Sequence, residues 1–318
     1  MNNFILNNES SDVDFGILDF LNKIKNKKSI KFTTSGTTGT PKEIIHTYES
    51  LIKNIKIRED LNGTIWGITY DYKKIAGSQV ILQSYLNNGK LVNLYNKSKD
   101  EIIRLILEYN ITHLSATPTF YRLLIGDIVF EKIIQITIGG ETVDSNLINK
   151  IKKTFPNANI TNVYASTEFG TLFTSNTYYF EISKKNRIFV KILNNHIHIN
   201  QNDNWIDTGD VVEMIDAIKF KIIGRETNMI NVGGVKINPI HIENVINSLD
   251  YVSNCYVYGK ENSVMGMVVV AEIVLLNNVN TSQIKIDLIG KLTKYEIPLK
   301  INIVEALNVN STGKIIRK

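Results

Sequence analysis

Between Thr64 and Val163 short apolar runs alternate with stretches of helical spacing, and no other feature limits the possible folds so strongly. The runs predict strands over 64–69, 90–95, 112–115, 133–138 and 159–163. The intervening spacings predict helices over 75–86, with an interior glycine at Gly77, and over 100–109, 120–124 and 145–154. Strands that alternate with helices pack as parallel α/β layers. Upstream, Phe15, Leu18, Leu21 and Ile24 predict an amphipathic helix over 15–27, and 48–58 reads as another.

Beyond Phe173 the character becomes β. Residues 187–193 and 196–200 read as an antiparallel hairpin closed by Asn194-Asn195. A boundary follows 219–225, which separates a first domain, 1–225, from a second, 226–318. The second has a loop at Gly233-Gly234, helices over 240–249 and 281–292, and strands over 254–258, 267–275 and 300–304. The expected class is α/β, a layered α/β core with a small β subdomain, followed by a small mobile α+β C-terminal domain on a hinge. No repeat, low-complexity run or heptad pattern is present.

At 318 residues the chain is long enough for two domains, and its formal charge of +5, from 36 basic and 31 acidic residues, is too mild to imply nucleic-acid binding. The single cysteine, Cys255, excludes an internal disulfide and sits in an apolar strand-like run, which suits core packing. Residues 1–14 are polar and acidic without a secretory pattern, and no stretch approaches transmembrane length, so a cytoplasmic location is expected. His196 and His198 share a strand face, but no third ligand stands at a metal-site spacing. His46, His113 and His241 read as structural or surface residues.

The chemistry concentrates in a few loops. Thr33-Thr34-Ser35-Gly36-Thr37-Thr38-Gly39-Thr40-Pro41-Lys42 follows the apolar lead-in 29–32 and precedes a helix near Thr47. Its glycines let consecutive N–H groups turn toward phosphate oxygens, its hydroxyls add donors, and Lys42 adds a cation that can reach a β- or γ-phosphate. The spacing differs from the P-loop, and a Ser/Thr/Gly surface linker is the plain alternative. Gly139-Gly140-Glu141 ends an apolar strand, where open α/β sheets offer a ligand crevice and glycines let a flat base lie against the backbone. Tyr164-Ala165-Ser166-Thr167-Glu168 brings a stacking ring, a donor for an α-phosphate and a hard carboxylate for Mg2+ to one loop; a buried tyrosine beside a solvated glutamate is the alternative. Asp210, in Thr208-Gly209-Asp210, suits a ribose diol, and Arg225, after Gly224, suits the same sugar or its phosphate. Ser311-Thr312-Gly313-Lys314 puts one lysine on a terminal loop.

Taken in this order, the motifs resemble those of the adenylate-forming superfamily, which includes acyl-CoA synthetases, peptide-synthetase adenylation domains and luciferases, from about Ser29 to the last residue. The resemblance implies a nucleotide-binding core and a two-step reaction. A carboxylate attacks the α-phosphate of Mg·ATP to give an acyl-adenylate and pyrophosphate, and the pantetheine thiol of coenzyme A or of an acyl carrier protein then takes the acyl group. It also implies roles: residues 34–42 on the β/γ-phosphates, Glu168 on Mg2+, Thr167 on the α-phosphate, Tyr164 on adenine with Gly140 and Glu141 beside it, and Asp210 with Arg225 on the ribose. Lys314 would bridge carboxylate and phosphate oxygens. The second domain would then rotate and present Gly233 and Gly234 to a pantetheine arm.

There are departures from the family pattern. Only about thirty residues precede the phosphate loop, where the family carries a whole subdomain, so an apolar face is expected to need cover and a homodimer is expected. Ala165, Thr227 and Asn308 replace a usual glycine, hinge residue and proline. In the acyl-site segment Lys74 stands where acyl-CoA ligases place a histidine; with Gly139 it is a candidate substrate residue, and a solvent-facing lysine is the alternative. Two other functions remain open: an amino-acid-activating enzyme, and a catalytically silent nucleotide-binding partner, against which the retention of Glu168, Asp210 and Lys314 argues.

Overall fold

Strands that alternate with helices pack as parallel layers; residues 65–163 build this arrangement. The computed structural model describes residues 4–7, 12–26, 28–34, 42–53, 55–166, 170–184, 186–201, 203–310 and 313–317. The chain divides into two units, one of residues 1–140, 151–176 and 311–314, the other of residues 141–150, 177–310 and 315–318.

The first unit begins with α1 (Asp12–Lys25), β1 (Ile30–Thr34), β2 (Lys42–His46) and α2 (Tyr48–Ile52). Then come β3 (Ile65–Ile68), α3 (Ile75–Leu86), β4 (Lys90–Asn93), α4 (Lys99–Glu108), β5 (His113–Ala116), α5 (Pro118–Leu124), β6 (Gln135–Gly139), α6 (Ser145–Thr154), β7 (Asn159–Ser166) and β8 (Gly170–Ser175). Residues 145–150 of α6 are counted with the second unit. The sheet order is β4-β3-β5-β6-β7-β8, parallel except for β8, which runs antiparallel to β7. Local chemistry sets the helix ends. Ser98 and Glu101 form a capping box on α4, and Thr117 caps α5 ahead of Pro118. Asn88 and Asn110 take positive φ after α3 and α4, the left-handed position that commonly ends a helix.

Residues 4–7 and α1 cover part of the first sheet. Phe4 and Ile5 join Ile17, Phe20, Leu21 and Ile24 of α1 in a buried cluster with Trp66, Ile81 and Leu91. Residues 4–7 also run beside β4: the amide of Leu6 donates to the Leu91 carbonyl at 2.8 Å, and that of Leu91 to the Phe4 carbonyl at 2.8 Å. Of the expected stripe Leu21 and Ile24 are buried and Leu18 packs against the same cluster, whereas Phe15 is 59% exposed and Ile17 and Phe20 point inward beside them.

Two expectations near the phosphate loop are corrected. Residues 42–46 form a strand paired antiparallel with β1, from Ile30 opposite His46 to Thr34 opposite Lys42, so the loop joins two strands of a hairpin. The helix after it ends at Ile52 instead of Arg58, having buried only Leu51.

The second unit is antiparallel first. Strands β9 (Phe180–Glu181), β10 (Val190–Leu193), β11 (His196–Gln201), β12 (Asn204–Met214) and β13 (Lys219–Arg225) are ordered β10-β11-β12-β13-β9. Asn194 and Asn195 take φ of 50° and 62° in the β10–β11 turn, as a type I′ hairpin requires. Then follow β14 (Ile230–Val232), β15 (Val235–Ile237), α7 (Pro239–Asn247), β16 (Val252–Asn262), β17 (Gly266–Leu275), α8 (Thr281–Leu288) and β18 (Lys300–Ile303). They form a sheet ordered β15-β14-β17-β16, with β18 parallel to β17. Ile242, Ile246, Val257, Ile273 and Leu288 fill its core, and Cys255 lies among them as expected. The last helix ends at Leu288, earlier than 292. Among the described residues no helix is long and apolar enough to cross a membrane.

Candidate active site

In the first unit the site forms where parallel strands end. Thr117, immediately after β5, caps α5 and also donates its hydroxyl to the Gly313 carbonyl at 2.7 Å. Lys314 therefore arrives at the carboxyl end of β6. There Gly140 has a φ of 89°, and a Cβ built on it would lie 2.7 Å from Lys314 Cε, so the aliphatic stem crosses a position that only glycine leaves open. Gly139 lies close to β7, with the Val163 carbonyl 3.2 Å from where its Cβ would stand. Tyr164, half-buried on β7, has its ring centroid 6.2 Å from that of Phe173 on β8. The pairing of these strands shifts register between Tyr164 and Ala165. The structure thus brings Gly139, Gly140, Tyr164 and Lys314 together within the first unit.

Lys74 stands at the amino-terminal cap of α3 and donates from Nζ to the Thr33 carbonyl at 3.1 Å, next to the end of β1. Thr34 ends β1 and Lys42 begins β2. Ser35, Gly36, Thr37, Thr38, Gly39, Thr167 and Glu168 lie outside the described residues.

In the second unit Asp210 and Arg225 stand directly opposite each other on β12 and β13, and Arg225 Nε donates to Asp210 Oδ1 at 2.8 Å. The Asp210 side chain is 10% exposed and that of Arg225 42%, so the carboxylate is set inward beneath a partly open guanidinium. Beside the pair, His196 lies between two carboxylates, with Nδ1 2.9 Å from Asp207 Oδ2 and Nε2 2.9 Å from Glu226 Oε2. Lys236 Nζ reaches the other oxygen of Glu226 at 2.9 Å and holds that carboxyl below its usual range. Glu141 accepts the amide of Ile315 at 3.0 Å, and Gly233-Gly234 form the turn between β14 and β15. A cavity of about 760 Å3 next to that turn is lined by Asn231, Gly234, Glu261, Asn262 and Met265 among others.

Thr117 reads from the sequence as part of the turn Thr117-Pro118 ahead of a helix, and its contact with Gly313 is visible only in the structure. His113 behaves as the structural residue expected. It is buried against Trp66, with ring centroids 4.5 Å apart, and burial pushes its pKa down to about 4 against a weak opposing pull from Asp60.

Each unit by itself carries groups of the kind a nucleotide needs: a half-buried aromatic ring and a cation on a glycine edge in the first, a buried carboxylate beside a guanidinium in the second. Among the described residues no group of three or more His, Cys, Asp or Glu side chains could hold a metal ion alone.

The sequence model of the AMP-binding enzyme family matches residues 30–204, and that of the AMP-binding enzyme C-terminal domain matches 241–314. The chain belongs to the AMP-binding enzyme family. Among curated relatives, this AMP-binding enzyme is 26% identical to a 2-succinylbenzoate–CoA ligase of Staphylococcus epidermidis, over 91% of this chain and 68% of that one. It is 25% identical to a 3,4-dihydroxybenzoate–[aryl-carrier protein] ligase of Bacillus anthracis, over 99% of this chain and 78% of that one. The fold is shared with the Bacillus subtilis o-succinylbenzoate CoA synthetase solved with its acyl-adenylate intermediate, at a TM-score of 0.65 and 23% identity, covering 90% of this chain and 67% of that one. With such relatives, this AMP-binding enzyme is an acid–thiol ligase of the AMP-forming type.

Proposed function

We propose that this enzyme adenylates an aromatic carboxylic acid and passes the acyl group to the pantetheine thiol of coenzyme A or an aryl carrier protein. The aromatic class is that named for both curated relatives. The observation that carries the mechanism is the position of Lys314 across Gly140 at the carboxyl end of β6. An ammonium held there by backbone contacts is already placed when negative charge builds on the α-phosphate, so no reorganisation is needed in the transition state. Tyr164 would face the adenine, with Gly140 and Glu141 beside it, and Asp210 with Arg225 would accept and donate to the ribose. Thr167 would donate to the α-phosphate, residues 34–42 would bind the β/γ-phosphates, and Glu168 would hold Mg2+. Gly139 and Lys74 border the proposed acyl site, and Gly233-Gly234 the proposed path of the pantetheine arm. The working division of the chain falls after Arg225, so that 226–318 supplies Lys314 for the first half-reaction and withdraws it for the second.

ATP/pyrophosphate exchange tests this, with 2-succinylbenzoate, 3,4-dihydroxybenzoate, anthranilate and a set of amino acids. Exchange with an aromatic acid that drops on the order of 10²- to 10³-fold in Lys314→Ala is expected. Exchange driven by amino acids alone would overturn the acid class, and Mg·ATP binding without any exchange would favour a silent nucleotide-binding partner. A cytoplasmic location and a homodimer complete the proposal. Exposed Ile45 and Ile57 supply apolar surface for association, and light scattering that finds a monomer at all concentrations would remove the dimer.

A further inference from the structure

The segment that follows Lys314 ends in an ion pair that the reaction above does not use. Glu243, on α7, is 6% exposed. Arg317 Nη1 donates to its Oε1 at 2.9 Å and Nη2 to its Oε2 at 2.8 Å, while the amide of Val257 on β16 donates to Oε1 at 3.0 Å. The guanidinium lies 5.6 Å from the centroid of the Tyr256 ring. The two residues before Arg317 are tied as well: Ile315 N–H donates to Glu141 Oε1 at 3.0 Å, and Ile316 N–H to the Asn308 carbonyl at 2.9 Å. All of these contacts are internal to the second unit.

An exposed ion pair would say little about the path of a chain end. This pair is bidentate and its carboxylate is buried, so the fork fixes orientation as well as distance, and removal of either partner leaves a buried charge uncompensated. Burial pushes the Glu243 carboxyl up, with Arg317 opposing, so without Arg317 the site would favour a neutral acid and lose its hold on the chain end. Apolar side chains of similar volume often replace a buried ion pair at similar stability, so packing alone does not call for these charges.

We propose that Glu243 and Arg317 form a positioning clamp for adenylation, in which the fork sets the path of residues 315–317 and thereby presents Lys314, and that acyl transfer to the thiol does not need it. The inference rests on the role of Lys314 proposed above. It concerns residues that touch neither nucleotide nor acid, so its signature is a split between the two half-reactions.

The test uses the full chain with Arg317→Met, Arg317→Lys, Glu243→Gln and the Lys314→Ala control. Three quantities are measured: pyrophosphate exchange with 2-succinylbenzoate and 3,4-dihydroxybenzoate, transfer to coenzyme A from the synthetic adenylates of these acids, and amide hydrogen exchange over 313–317. Arg317→Met is expected to lower the exchange kcat by on the order of 10²-fold, the cost of a misplaced catalytic group, with KM for ATP and the rate of thiol transfer changed by less than about twofold. Hydrogen exchange over 313–317 should rise while that of α7 stays protected. Arg317→Lys, which keeps the charge without the fork, should lie between. Equal losses in both half-reactions would reduce the pair to a structural contact, and wild-type kcat in Arg317→Met beside an inactive Lys314→Ala would overturn the clamp alone. Should Arg317→Met fail to fold, Arg317→Lys and Glu243→Gln carry the same comparison. If the wild type exchanges neither acid, the proposed function fails and hydrogen exchange decides the clamp: unchanged protection of 313–317 in any of the three variants overturns it.

Discussion

The two units hold their candidate site residues by different means. In the first, Lys314 and Gly313 are placed by backbone: a threonine hydroxyl on a carbonyl and a lysine stem over a glycine at a strand end. In the second, Asp210, Arg225, His196 and Glu226 are placed by one another, through side-chain contacts across and beside an antiparallel sheet. The contrast follows from the sheets. Parallel strands sandwiched between helices leave only their ends for function, where loops and helix caps meet. An antiparallel sheet with an open face can carry function on the face itself, where register decides which side chains meet. Site groups held by backbone should therefore be intolerant of any added atom, and groups held by paired charges sensitive to charge and to salt.

The sharpest way to break this comparison is Gly140→Ala. The new methyl would collide with Lys314 and require a strained φ, so pyrophosphate exchange should fall on the order of 10²-fold with the fold intact by circular dichroism. Near-normal exchange would mean that Lys314 is not held by that edge. The next effect concerns the buried face of the same sheet. His113 has a folded pKa of about 4 against an ordinary 6.5, so the unfolded chain binds the extra proton between these values and stability falls as pH drops through that window. About 2 kcal/mol should be lost between pH 7 and pH 5, as judged by urea unfolding followed through the fluorescence of the stacked Trp66, and His113→Gln should flatten the dependence. An equally steep profile in the variant would place the titration elsewhere.

For the charged pair of the second unit, Asp210→Asn should raise KM for ATP about tenfold and change kcat little, because a ribose contact is made alike in ground and transition states. A kcat effect larger than the KM effect would show instead that the pair acts on the reacting phosphate. Smallest of all, Asn195→Gly at a φ of 62° should leave exchange unchanged and raise stability by a few tenths of a kcal/mol, since the turn already demands a left-handed residue. A measurable loss of activity there would tie the hairpin to the site.

Much of this was legible in the chain itself. The parallel strands of the first sheet and α3 follow from periodicity because each is short and bounded by caps or turns, whereas β8 does not. The Asn194-Asn195 hairpin emerged from turn chemistry. Three things were hidden for identifiable reasons. Strand β2, Lys42-Glu43-Ile44-Ile45-His46, begins at a lysine that reads as the end of a loop, and its strand-like partner β1 reads as leading to a helix instead of to a second strand. On α1, that Ile17 and Phe20 turn inward while Phe15 turns outward depends on what covers the helix. The cross-strand pairing of Asp210 with Arg225 depends on a register that shifts between Val211 and Val212, which no spacing rule anticipates.

By itself the sequence determined the alternating layers, the loops where anions and sugars can be met, and the residue types at each, because periodicity, turn chemistry and side-chain functional groups are local properties. Only the tertiary structure decided that residues 4–7 and α1 cover the edge and face of the first sheet, that Thr117 meets Gly313, and that Glu243 receives Arg317. Each of those depends on segments distant in the chain that are brought together by burial, and no local pattern in either partner names the other.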